Sequence, residues 1–311
     1  MPRMNRLIPM VVATLTMFGF PGDQPNGRGF KDGNTVGVDL FNSKIIISGN
    51  GAKGGEADGY VLKRPCWYEP GLDASEMLKT QEGLRDYWFR FTKNPTEEKF
   101  QQFLKQFKDQ VGKDGRWWGP AYNAADPKGE ACFAGLDPFV FVPPGTTPPA
   151  GITIQELAEI ARAALTVPEP TVKLNPDAKS YVNLPTWVWV EGIGEPRRSV
   201  TATIPGVMSA TVVATLQKIE IDPGTTADRA EVREDGCGTS GKPYVEGGEF
   251  TCGVRYLRSS IDQPSEKYIL TVTTVWPVEV AGDVVPVQFA PVQVDTTRDV
   301  PVGEIQSNVK P

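Results

Sequence analysis

The chain has no histidine among its 311 residues. Imidazole is the side chain whose ordinary charge change falls near neutrality, so Ser-His-Asp and Cys-His catalysis and histidine-ligated metals are excluded. An enzyme built on this sequence would have to use carboxylates, Lys, Tyr, Ser or a thiol. Cysteine is scarce: only Cys66, Cys132, Cys237 and Cys252 occur. None forms a CxxC pair, which weakens zinc and thioredoxin-like readings. No run of Lys and Arg concentrates positive charge, and the net charge is -6. Phosphate backbones need clustered cations, so nucleic acid is not an expected partner.

What is present is an ordinary globular composition, 40% hydrophobic and 23% charged, which can bury a core. The chain holds 32 Gly and 28 Pro, which favours loops and sheets over long helices. Met1–Phe20 reads as an export signal. Arg3 and Arg6 open it, and the apolar Leu7–Phe20 is too short to span a bilayer and is interrupted by Pro9. An uncleaved amphipathic anchor is the alternative, and no membrane contact beyond this segment is expected. An even cysteine count behind an export signal predicts two disulfides. Three pairings are possible. The sequence-local one, Cys66–Cys132 and Cys237–Cys252, keeps each bridge inside one predicted domain. The second bridge is expected to be structural, closing a polar loop, with no redox role.

Four regions follow from the pattern. Residues 1–20 are the signal. Residues 21–64 read as a glycine-rich linker, with a possible hairpin made by Thr35–Phe41 and Lys44–Ser48 around Asn42-Ser43. Gly49–Gly55 lacks Walker spacing and reads as flexible. Asp32-Gly33-Asn34 with Asp39 loosely suggests calcium and fails the EF-hand spacing. Residues 65–170 read as a helical, disulfide-containing region opened by Pro65–Pro70. One helix starts at the Asp73/Glu76 capping spacing and carries Met77, Leu84, Trp88 and Phe91 on its apolar side. A second is capped by Asn94 and carries Phe100, Phe103, Leu104, Phe107 and Val111, a stripe read as core. Trp117, Trp118 and Cys132 fall in an expected loop region, and Pro143–Pro149 reads as a linker. A third helix starts at the capping box Thr153-Ile154-Gln155-Glu156.

Residues 171–311 read as strands separated by Gly/Pro/Asp clusters, which predicts a β-sandwich able to fold alone. The clearest stretch is Thr251–Trp276. Tyr268, Leu270, Val272 and Trp276 alternate with Ile269, Thr271, Thr273 and Val275, the period of a half-buried strand. With Cys252–Tyr256 before it and the polar Ser259–Ser265 between, a β-hairpin is expected. The fold class is therefore α+β: a small helical N-terminal region followed by an immunoglobulin-like sandwich.

The ordered segments PCWYEP (Pro65–Pro70), VNLPTWVWV (Val182–Val190), IEIDPG (Ile219–Gly224) and CGVRYLRSS (Cys252–Ser260) resemble those of a group of secreted actinobacterial proteins, mostly uncharacterised. Some of these carry an "enoyl reductase" or "ATP/GTP-binding" label. The C-terminal part is similar to a divergent PKD-type immunoglobulin-like domain. In such a domain Ile219–Gly224, Val254-Arg255-Tyr256 and Tyr268–Val272 would take the places of the family's turn, H-x-Y and final strand. The labels fail on the residues. A reductase needs a strand–GxGxxG–helix unit, and none occurs. Gly236–Lys242 matches G-x-x-x-x-G-K, but Pro243 stands where a magnesium-binding hydroxyl is required. No cofactor is expected.

Two carboxylate pairs, Glu191 with Glu195 and Glu220 with Asp222, have the residue types a glycosidase uses, although nothing sets them across a cleft. Trp187 and Trp189 share one face of a strand, with Val188 and Val190 on the other. Both faces are then apolar, which favours burial, with the helical region docking there as one way to achieve it. Trp117, Trp118, Trp187 and Trp189 are the candidate binding surface. The expectation is a non-catalytic exported protein, not an enzyme, binding an envelope protein or glycan. The alternative is a secreted carboxylate-based hydrolase of envelope polysaccharide.

Overall fold

The computed structural model describes residues 39–283 and 286–305. The expected signal segment and Asp32–Asn34 lie outside the described residues. Two short strands, Leu40–Phe41 (β1) and Ile46–Ser48 (β2), precede Cys66–Asp73 (β3). Three helices follow: Ala74–Gly83 (α1), Arg85–Phe91 (α2) and Glu97–Lys108 (α3). Arg116–Asn123 (β4), Gly129–Ala134 (α4), Val140–Val142 (β5) and Ile154–Ala163 (α5) complete the first half. The second half holds Thr171–Asn175 (β6), Ser180–Tyr181 (β7), Pro185–Glu191 (β8), Arg197–Ile204 (β9), Met208–Thr215 (β10) and Lys218–Asp222 (β11). Ala230–Arg233 (β12), Gly253–Tyr256 (β13), Tyr268–Trp276 (β14), Val278–Val280 (β15), Val292–Val300 (β16) and Val302–Gly303 (β17) close it. The class is α+β, with antiparallel strands in several sheets.

The segment Pro65–Pro70 opens a strand, where a helical region was expected. Cys66, Trp67 and Tyr68 suit a buried pleated surface, and β3 pairs with β4 until a bulge between Pro70 and Asp73, the kind of place a strand proline tolerates. Trp117 and Trp118 therefore lie on β4, and Cys132 on α4, where loop was expected. Neighbouring strand residues face opposite ways. Trp117 joins the aromatic cluster of Met77, Trp88, Phe100, Leu104 and Phe107, and Trp118 enters the main core. Asp73 caps α1 by accepting from Glu76 N–H at 2.8 Å. The first helix then breaks at Leu84. In α3 the cap is Thr96, which accepts from Lys99 N–H at 3.3 Å; Asn94 instead sits at φ 50 in the turn. Phe100, Leu104 and Phe107 are buried as core, Phe107 against Trp117 at 4.9 Å.

β1 and β2 do not form the expected hairpin. β1 pairs with β4, and β2 with β9. Nor is Gly49–Gly55 a loose linker. Gly51 N–H donates to Ser199 O at 2.9 Å, and Gly51 O accepts from Thr166 N–H at 2.8 Å. A Cβ on Gly49, at φ +119, would lie 2.2 Å from Ser199 O. Glycine is what lets two backbones meet there. The segment that follows is fixed by Arg162, which is 1% exposed and makes a bidentate pair with Asp58. Tyr60 lies against that guanidinium, 5.1 Å from its ring centroid.

β13 and β14 lie in different sheets, so the expected hairpin between them is absent. β13 belongs to the sheet β12-β13-β8-β6, and β14 to β11-β14-β16. Tyr256 and Tyr268 stack across the two at 4.8 Å with rings 2° apart. The alternation along β14 is as expected over most of its length: Tyr268, Leu270 and Val272 are buried, Ile269 is exposed and Thr271 and Thr273 are partly exposed, but Val275, expected on the open side, is buried. Nine register pairs with β16 satisfy one edge and five with β11 the other. No edge is left for β13, and residues 257–267 cross between the sheets. Arg229 holds that crossing, pairing with Asp262 at 2.5 and 2.8 Å and donating to Ser259 O and the Tyr268 hydroxyl. The Arg229 guanidinium draws the exposed Asp262 carboxyl down to about 2.

The line at residue 171 is crossed by structure. β9 and β10 form a hairpin inside the sheet β15-β10-β9-β2, and α5 packs on it. One continuous core runs from Leu40 to Val302. α5 starts at the expected capping box of Thr153 and Glu156.

Candidate functional site

β8 is a central strand, paired with β6 on one side and β13 on the other. Its alternation places Val188 and Val190 in the core and Trp187 and Trp189 on the opposite face. The cover over Trp187 is the loop closed by the Cys237–Cys252 disulfide; the helical region does not dock there. Where β13 ends, the loop takes its place beside β8. Lys242 N–H donates to Val188 O at 3.1 Å, and Val190 N–H donates to Ser240 O at 2.8 Å. Gly241, at φ +77, comes so close that a Cβ would lie 2.5 Å from Trp189 Cα. The G-x-x-x-x-G-K match is thus a strand-docking turn, and its lysine is occupied. Lys242 Nζ donates to Glu249 O and Thr251 Oγ1, both at 3.2 Å.

Tyr244 and Phe250 close edge-on over Trp187 at 5.7 and 5.6 Å. Trp187 is 4% exposed in consequence. At the tip, Gly248 N–H donates to Val245 O at 2.9 Å, with Gly247 at φ +74 in the third turn position. That left-handed value is what a type II turn asks of this position, and glycine meets it freely. The tip leaves Tyr244 46% and Val245 59% exposed. The loop is thus pinned at its base by a disulfide, on its side by strand-like bonds, and underneath by aromatic packing.

The four tryptophans do not form a common surface, which corrects the candidate platform. Trp117, Trp118 and Trp187 are buried, and Trp189 is half-buried with its indole N–H on Glu191 at 3.2 Å. An indole that fills a core has no face left to stack on a sugar. The carboxylates are likewise taken up by local structure. Glu191 also faces Lys173 at 3.8 Å, and Glu195 accepts from Asn50 Nδ2 at 2.6 Å. Glu220 pairs with Lys218 at 2.6 Å, and Asp222 accepts from Gly224 N–H at 2.8 Å.

Sequence reasoning passed over Glu69, the fourth residue of CWYE. It is 3% exposed on β3 and accepts from Ser43 Oγ (2.7 Å), Lys44 N–H (2.6 Å) and Trp67 Nε1 (2.8 Å). An acid two residues from a tryptophan on a strand shares its face, which was the available signal. Burial pushes this carboxyl above its ordinary 4.5, against the pull of those donors and the Lys44 charge. A folded value above the unfolded one means that the folded state holds the proton more tightly. The associated stability is fully present below about 4.5 and is lost as pH rises through the folded value. Glu69→Gln should therefore flatten the stability–pH profile above that point. Its amide would face the Lys44 N–H donor, so the variant should be less stable throughout. Urea titrations at several pH values check this; parallel profiles for the two proteins would refute the assignment.

Both expected disulfides, Cys66–Cys132 and Cys237–Cys252, are formed, and no free cysteine remains among the described residues. Two disulfides fit an oxidising environment. No helix of the described residues is long and apolar enough to cross a membrane. No family model, curated protein or solved structure matches this chain.

Proposed function

We propose that this protein is a non-catalytic exported binding module whose partner is an envelope protein or glycan. We read its C-terminal strands as an immunoglobulin-like sandwich of PKD type, as the resemblance of that part to such domains implies. The observation that carries the proposal is the Tyr244–Val245 tip. A half-exposed aromatic, seated edge-on against Trp187, and an exposed aliphatic residue sit on a turn whose base is held by a disulfide and by strand-like bonds. Rigid loops on β scaffolds bind well because little entropy is lost on contact, and tyrosine supplies contact area with few rotatable bonds. Glu246 and Glu249 flank the tip and favour a partner with a basic rim. The disulfides suit an extracellular setting, and the structural use of the four singled-out carboxylates favours binding over hydrolysis.

The test is co-sedimentation of the labelled protein with isolated cell-envelope fractions, beside a hydrolysis assay on the same fractions. Replacing Tyr244 with Ala and Val245 with Ser should weaken binding at least about tenfold, the scale of an interface hot spot. The melting temperature should fall by no more than a few degrees, from the lost edge contact of Tyr244 with Trp187, and binding is compared well below the onset of unfolding. Unchanged binding would remove the tip from the interface. Turnover of envelope polysaccharide that disappears in Glu191→Gln or Glu195→Gln would overturn the module reading altogether.

A further inference from the structure

β15 is the outer strand of the sheet β15-β10-β9-β2. Its register with β10 fixes where its backbone points. Val212 faces Val280, Val213 faces Glu279 and Ala214 faces Val278. Thr215 N–H donates to Pro277 O at 3.2 Å, so that pair, next in the same register, is a hydrogen-bonded one. Hydrogen-bonded and non-bonded pairs alternate along an antiparallel ladder. Glu279 therefore bonds to β10, while Val278 and Val280 turn their N–H and C=O groups away from it.

A groove of about 340 Å³ lies against this strand. β15 and Pro277 form one wall, and Val287, Gln288, Phe289 and Pro291 form the other. The far wall is anchored. Phe289 meets Tyr60 edge-on at 5.8 Å, and Tyr60 packs on the buried Arg162 of α5. No described strand pairs with β15 on this side.

We propose that an extended peptide of a partner protein, alternating apolar and basic side chains, adds to β15 in this groove as a further strand. Donors and acceptors two residues apart match the repeat of an extended chain, about 6.6 Å. Strand addition of this kind takes affinity from main-chain bonds and specificity from alternate side chains. Val278 and Val280 are buried on the core side, so the peptide's apolar residues would extend that face toward Phe289. Glu279 is exposed on the opposite face, where a neighbouring basic side chain would pair with it. The inference deepens the binding-module reading and rests on it for its biological use. The peptide experiment is separate from the envelope experiment, so one can fail without the other.

The test uses the whole chain and the acetylated, amidated peptide Val-Lys-Val-Lys-Val. Saturable binding is expected, with the amide resonances of Val278 and Val280 among those that move. Methylating alternate backbone nitrogens of the peptide should cost at least roughly tenfold in affinity, as lost main-chain bonds do. Glu279→Lys should reverse the preference toward Val-Glu-Val-Glu-Val. Absence of saturable binding, equal binding of the methylated peptide, or resonance changes confined to other regions would overturn the proposal. So would a dimer in which a second copy covers β15.

Discussion

A fragment beginning at Thr171 is expected to aggregate or to stay molten, although its strand pattern alone suggests an autonomous sandwich. The reason is the hairpin β9–β10. Val200, Ala202, Ile204, Ala210, Val212 and Ala214 are all at most 2% exposed. They face α5, whose Leu157, Ala158, Ile160 and Ala161 are at most 1% exposed. Removing residues before 171 opens that face to water and strips β2 from the edge of β9. Three branched side chains with their alanine neighbours amount to roughly 5–10 kcal/mol of lost burial. That is comparable to the whole stability of a domain, about 5–15 kcal/mol. Near-ultraviolet circular dichroism, dye binding and gel filtration check the result. A fragment starting at Gly151, which keeps α5, should recover solubility and cooperative unfolding. Cooperative unfolding of the Thr171 fragment would show that α5 is dispensable.

Loss of the Cys66–Cys132 bridge should destabilise the protein more than loss of Cys237–Cys252. The first joins residues 66 apart in sequence and the second 15 apart. In the loop-entropy view these correspond to about 4 and about 3 kcal/mol. Replacing Cys66 and Cys132 with Ser should then lower the melting temperature by roughly 10 °C for a chain of this size. The two cysteines tie β3 to α4, so the change should also loosen the segment that carries Glu69. The Cys237/Cys252 double Ser variant should lose somewhat less stability and free the Tyr244 tip, weakening envelope binding through disorder. Scanning calorimetry of both variants checks the order. A larger loss at Cys237/Cys252 would mean that strand-like bonds hold the loop less than the geometry implies.

Local signals in the chain were read correctly where one element carries its own pattern. The Thr153/Glu156 box starts α5 because capping is settled within four residues. The two-residue alternation matches the burial along β14 from Tyr268 to Thr274, and fails at Val275, which is buried as well. The local cysteine pairing was legible because each pair falls within one stretch of the expected organisation. Misreadings arose where an element depends on a distant neighbour. Pro65–Pro70 is a strand because β4 lies beside it. Gly49–Gly55 is ordered because Ser199 and Val167 approach its backbone.

The sequence by itself determined the α+β class, the two disulfides and the absence of imidazole chemistry. Composition, short-range periodicity and cysteine spacing are properties of the chain alone. Only the tertiary structure decided that β13 and β14 belong to different sheets and that β9–β10 leans on α5. It also decided that a disulfide loop covers Trp187. Strand alternation says which face is buried and is silent on what buries it. An apolar face can be covered by any other apolar face, and that choice is made by the packing of the whole molecule.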